Sequence, residues 1–155
     1  MDNGSSPIAS TPDGDIIFGH HLIVTDTGSA MGRGVYAARP FSKGELVEVA
    51  HVVELQGPWD ALPEPIRQRV FSWKLLTGAK AKYALPMGFG TIYNHSDSPN
   101  LRFEGDRFNQ VMRYVATRDI ADNEQLFIDY NQAVDGGDGE DKDWFKVNGI
   151  TKAVI

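Results

Sequence analysis

The sequence predicts a mainly β fold with one or two short helices. Three observations lead there. Leu46 to Leu55 alternates loosely between apolar and polar residues and is rich in Val. Leu101 to Glu104 and Gln110 to Ala116 are two further strand-like runs around a polar turn, Gly105-Asp106-Arg107, as in a hairpin. One stretch, after Pro65, stands out with helical spacing: Ile66, Val70, Trp73 and Leu76 share a face at i, i+4, i+7 and i+10.

Taken in order, residues 1–14 are rich in Ser, Gly, Pro, Asp and Asn and are expected to form a flexible leader. Order is expected from near Ile16. Leu22-Ile23-Val24 has strand character, and Asp26 to Ser29 and Gly32-Arg33-Gly34 read as turns. Val35 to Ala38 reads as a strand, followed by a tight turn at Phe41 to Glu45 in which Gly44 can take a positive φ. After the long Val-rich strand, Pro65 suits the first turn of the helix and Gly78 its end. Trp73, on the apolar face, is most simply core. Tyr83 to Gly90 leads into a polar run, Arg118 to Glu124 is a turn, and Gln125 to Tyr130 is a strand. Residues 132–143, acidic and Gly-rich, read as a linker, and Trp144-Phe145 opens a short apolar tail.

At 155 residues and 41% apolar content the chain is expected to form one domain with a real core. It has no cysteine, which excludes disulfides and thiolate zinc sites and fits a reducing compartment. His20, His21 and His51 lack ligand spacing, so no metal is assigned. The net charge of -6 speaks against a nucleic-acid surface. It either suits a basic partner or is ordinary solubility charge. No membrane span or secretory signal is visible.

The run Tyr93-Asn94-His95-Ser96-Asp97-Ser98-Pro99-Asn100 is where chemistry concentrates. Asn and His can each donate and accept hydrogen bonds, so the run could grip a polar ligand; alone it could also be a turn. Its company is a glycine turn, Met31-Gly32-Arg33-Gly34-Val35-Tyr36, and a later segment, Glu124-Gln125-Leu126-Phe127-Ile128-Asp129-Tyr130. The glycines would let backbone groups approach a ligand without Cβ obstruction. Glu124 and Asp129, an odd number of residues apart, would face opposite ways on a strand and read as structural.

Three such motifs in this order resemble the SET domain, the protein-lysine methyltransferase family. The resemblance runs from about Gly28 to Asn131. It implies a β-clip-like fold of several small sheets with a pseudoknot, placed at 15–131, and a C-terminal aromatic tail within 132–155. In that fold the segment ending in Tyr130 lies against Asn94-His95. The chain looks like the small, stand-alone form without zinc-binding cysteines. Asp97 stands where many zinc-bearing relatives have Cys.

The resemblance further implies S-adenosylmethionine as cofactor, held by Met31, Gly32, Arg33, Gly34, Asn94 and His95. Tyr130 would be catalytic, and Tyr36, Tyr83, Tyr93 and Ile128 would line a channel for the substrate lysine. Trp144 and Phe145 would either cover the cofactor or anchor the tail on the core. Ser96 and Asn100 would hold the knot together through side-chain to backbone bonds. Ile128, where a Tyr would restrict the product, leans toward di- or trimethylation. The expected partner is a protein or basic peptide bearing lysine, a histone among the candidates, with no direct contact to nucleic acid or membrane. The chain is expected to be intracellular, as monomer or homodimer. Intact Tyr130, Asn94 and His95 favour catalysis over a SET fold that only binds a partner.

Overall fold

A computed structural model describes residues 17–18, 21–132 and 143–152. The expected leader at 1–14 and most of the expected linker lie outside the described residues. Among the described residues ten strands appear in order: β1 (Ile17–Phe18), β2 (Leu22–Asp26), β3 (Arg33–Ala37), β4 (Leu46–Leu55), β5 (Phe71–Ser72), β6 (Tyr83–Pro86), β7 (Asn94–His95), β8 (Leu101–Asp106), β9 (Val111–Ala116) and β10 (Gln125–Ile128). Three short helices accompany them: α1 (Glu64–Arg67), α2 (Trp73–Thr77) and α3 (Trp144–Asn148). None of these is long and apolar enough to cross a membrane.

The strands form two five-stranded sheets, β1-β2-β3-β10-β7 and β5-β6-β4-β9-β8. The Val-rich stretch is β4, paired on both sides, with β6 and with β9. The hairpin is present as β8 and β9, in register from Leu101 opposite Ala116 to Asp106 opposite Val111. Along β8, Leu101 and Phe103 are buried while Arg102 and Glu104 face solvent, the alternation of a half-buried strand.

The single helix expected after Pro65 is instead two. α1 carries Pro65 in its first turn, and α2 ends at Gly78, whose φ of 72° admits the left-handed closing turn. Between them Phe71 and Ser72 are extended and pair with Ala84 and Tyr83 of β6. The apolar spacing is real, but it serves two cores. Val70 packs with Leu62 and Tyr83 in a small cluster, whereas Trp73 is fully buried in the large one. Trp73 Nε1 donates to Glu54 Oε1 at 3.0 Å, so the indole is satisfied on both counts.

β10 lies between β3 and β7, antiparallel to the first and parallel to the second. Asn100 secures this insertion. It is fully buried, donates through Nδ2 to the Gln125 carbonyl at 2.8 Å, and accepts at Oδ1 from the Phe127 N–H at 2.7 Å. Its side chain thereby imitates a strand neighbour. Ser96 contributes its N–H to the Ile128 carbonyl at 3.0 Å. Asn100→Ala would leave both β10 groups without their partner, and about 2–4 kcal/mol of stability should be lost, read by denaturant melts. A loss under about 1 kcal/mol would remove this role from Asn100.

Candidate active site

β7 and β10 run side by side with Phe127 opposite Asn94 and Ile128 opposite His95. Two residues beyond β10, Tyr130 turns over the end of β7. Its backbone N–H donates to His95 Nδ1 at 3.0 Å, and its hydroxyl donates to the Tyr93 carbonyl at 2.7 Å. Because Nδ1 accepts, the neutral imidazole carries its proton on Nε2, which lies 3.0 Å from Asp97 Oδ1. Both ring nitrogens of His95 are therefore engaged within the chain. Burial pushes the Tyr130 phenol up to about 12, and the charge of Arg69 draws it partly back. Tyr130 is thus a neutral phenol at physiological pH. Its hydrogen is committed to Tyr93, and its oxygen keeps lone pairs for a donor.

Two cavities meet at this phenol. The first, about 280 Å³, is walled by Tyr83, Tyr93, Ile128, Tyr130 and Trp144, with Trp59, Arg69 and Phe71 contributing. The second, about 210 Å³, is walled by Met31, Asn94, His95, Tyr130, Trp144 and Phe145, with Lys152 at its edge. Tyr130 and Trp144 belong to both. Their rings meet edge-on, with centroids 4.5 Å apart.

The residues singled out from the sequence divide as follows. Met31, Asn94, His95, Trp144 and Phe145 come together around the second cavity. Tyr83, Tyr93 and Ile128 line the first, with Ile128 almost fully buried. Tyr36 lines neither: it sits on β3 opposite Gln125, and its hydroxyl accepts from Gln125 Nε2 at 3.4 Å. Gly32, Arg33 and Gly34 also line neither cavity, but Arg33 and Gly34 lie against Asn94. The Arg33 carbonyl accepts from Asn94 Nδ2 at 2.9 Å. A Cβ on Gly34 would lie 2.6 Å from Gln125 Oε1, 2.8 Å from Thr27 Cγ2 and 3.1 Å from Asn94 Nδ2, so a larger residue there would have to displace these side chains. Asn94 Nδ2 also donates to Gln125 Oε1 at 3.0 Å, while Asn94 Oδ1 has no partner among the described residues. That acceptor, with the faces of Phe145 and Trp144, suits a ligand carrying an amine and a flat or cationic group. Asp129 and Glu124 are structural: Asp129 accepts from the Asn131 N–H, and Glu124 from the Ala121 N–H.

Sequence reasoning missed the helix that carries Trp144. Asp143 caps it by accepting from the Phe145 N–H at 3.1 Å, and Gly149, at φ 64°, ends it. A capping Asp and a terminal Gly around a five-residue segment were readable signals. Phe145 packs edge-on against His95 at 4.9 Å, and the helix is tied down by Lys152 Nζ, 2.6 Å from Asp97 Oδ1. Asp97 thus links the histidine to the tail, and Lys152 holds its carboxyl below the usual range, helped by His95.

Glu48 was missed as well. It accepts from the Tyr93 hydroxyl and from the Phe89 N–H, both at 2.8 Å, and burial raises its pKa against those two bonds. A raised folded-state value means that its contribution to stability is full below the ordinary value of 4.5 and is lost as pH rises through the folded value. Glu48→Gln should therefore flatten the fall in melting temperature above that pH. Parallel curves for the two proteins would mean that the carboxyl is not strained by burial.

Comparison with known proteins adds four findings. The SET domain family model matches residues 32–131. A Schizosaccharomyces pombe protein named histone-lysine N-methyltransferase, H3 lysine-37 specific, is 29% identical over 116 residues, 70% of this chain and 72% of its own length. Among solved structures, a Plasmodium falciparum candidate histone methyltransferase superposes with a TM-score of 0.58 at 24% identity, over 75% of this chain and 97% of that one. A humanized mutant of the Chaetomium thermophilum Polycomb Repressive Complex 2, bound to an inhibitor, gives 0.50 at 19% identity, over 70% of this chain and 14% of that one. Both show likeness of fold.

Proposed function

The chain belongs to the SET domain family of protein-lysine methyltransferases, and from that membership we propose that it methylates the ε-amine of a lysine in a protein substrate, with S-adenosylmethionine as cofactor. The observation that supports this best is the placement of Tyr130 where the two cavities meet. The second cavity would hold the cofactor, and the first would admit the lysine.

Bound there, S-adenosylmethionine would supply a methyl group on a positively charged sulfur that leaves without acid catalysis. Asn94 Oδ1 would accept from its amine, and Phe145 and Trp144 would cover it with aromatic surface. Met31 lines the same cavity and would add apolar surface beside it. His95, with both nitrogens occupied, would act by holding Tyr130 and by its ring face.

The acceptor amine must be neutral to attack, and a lysine in water is protonated up to about pH 10.4. The apolar walls of the first cavity, Tyr83, Tyr93, Ile128 and Trp144, disfavour an ammonium by desolvation. Tyr130 Oη can accept from the amine and orient its lone pair toward the second cavity. The enzyme's task is then chiefly alignment in a dry passage. Ile128 offers no hydroxyl to hold a water, so room remains for second and third methyl groups.

A histone is the substrate that the named relative suggests, and the proposed setting is inside the cell. The test is mass spectrometry of core histones and of a whole-protein extract after incubation with enzyme and methyl-labelled cofactor. A gain on lysine equal to one labelled methyl replacing a proton, or its multiples, is the expected result. No labelled lysine in either mixture, from protein that binds S-adenosylhomocysteine, would leave a fold that binds without catalysing.

A further inference from the structure

The first cavity contains a residue that the reaction does not call for. Of the described residues lining it, Arg69 is the one with a full charge at neutral pH. A fixed cation at the entrance for a lysine ammonium is unfavourable unless something offsets it. Nothing within the described chain does so. Arg69 Nη1 donates to the Pro65 carbonyl at 2.7 Å, which anchors the guanidinium and leaves most of its donors unused. Asp60 and Glu64, the nearest carboxylates in sequence, do not line the cavity, and no ion pair joins either to Arg69. By contrast Arg39, Arg102, Arg113 and Arg118 each pair with a carboxylate. Arg69 lies at the exposed edge of the cavity, yet its charge reaches the buried Tyr130 phenol.

A guanidinium with a free fork facing a binding cleft is matched by a carboxylate, which it can hold with two parallel bonds. We propose that Arg69 reads an aspartate or glutamate side chain within two residues of the acceptor lysine, so that preferred substrates carry an acidic neighbour. This rests on the lysine-methyltransferase reading above. The net charge of -6 would suit a basic partner, or is ordinary solubility charge, but a peptide in the cleft meets the local cation first. Once paired, Arg69 and the acidic neighbour form a nearly neutral unit, so deprotonation of the amine is left to the apolar walls.

The test compares lysine-centred peptides that differ in one neighbouring residue: Glu, its neutral isostere Gln, or Lys. With wild-type protein, Glu should raise kcat/KM over Gln by about tenfold, mainly through KM, as one charge-assisted pair would. In Arg69→Gln the Glu-to-Gln ratio should fall close to one, and in Arg69→Glu the Lys-flanked peptide should lead. Equal kcat/KM for Glu and Gln in the wild type would overturn the proposal. So would a uniform rate loss in Arg69→Gln that leaves the ratio intact. Failure to methylate any peptide, by protein that also labels no lysine in an extract, would instead remove the underlying reading and this inference with it.

Discussion

Tyr130→Phe is expected to lose at least about a hundredfold in turnover, the scale on which single preorganised polar groups act at reaction centres. Binding of S-adenosylhomocysteine should stay within about threefold, since the ring face is kept. On the proposed reading the hydroxyl would bridge the chain and the acceptor: it donates to Tyr93 and keeps its lone pairs for an amine. Phe keeps the packing against Trp144 and Phe145 and removes only that oxygen. It also strips a bond from the Tyr93 carbonyl, at about 1–2 kcal/mol, so a melting curve should accompany the assay. The phenol's pKa of about 12 excludes a phenolate base in the working range. Wild-type turnover should accordingly climb with pH as the amine loses its proton, with no fall from Tyr130 ionisation before that value. Near-normal turnover by the Phe variant would take Tyr130 out of the reaction.

Trp144→Ala should have the second largest effect. Trp144 walls both cavities, and its backbone N–H is fixed by Asn131 Oδ1 at 2.7 Å. Removing the indole opens the meeting point at Tyr130 to water and deletes aromatic cover from the cofactor side. Affinity for S-adenosylhomocysteine, measured by calorimetry, should fall at least about tenfold, the worth of a good aromatic contact. Turnover should fall further, because the acceptor amine would be rehydrated. Removing 143–155 should reproduce the affinity loss while the two sheets still melt cooperatively. Unchanged affinity in both variants would mean that Trp144 only anchors the tail.

Which parts were legible in the sequence follows from how local their causes are. The long strand at Leu46 to Leu55, the β8–β9 hairpin and the stop at Gly78 depend on side-chain alternation, turn residues and a positive φ, all readable within a few positions. The helix from Pro65 to Leu76 was misread because one apolar spacing feeds two clusters, and backbone pairing with β6 decided the matter at Phe71 and Ser72. Tyr36 shows the same limit: an aromatic near a motif is a candidate for a channel until its strand pairing places it opposite Gln125.

By itself, the sequence determined which residues had the chemistry to matter: a phenol, an amide beside an imidazole, a glycine turn and two late aromatics. Their order along the chain was sufficient to suggest the family. Tertiary structure alone decided which of them meet. β10 slides between β3 and β7, and only that insertion brings Tyr130 onto His95 across 35 positions of chain. It likewise decided that Arg69 lines the cleft without a counter-charge among the described residues and that Asp97 holds Lys152. Those are contacts between segments whose closeness depends on sheet order, and no local propensity encodes sheet order.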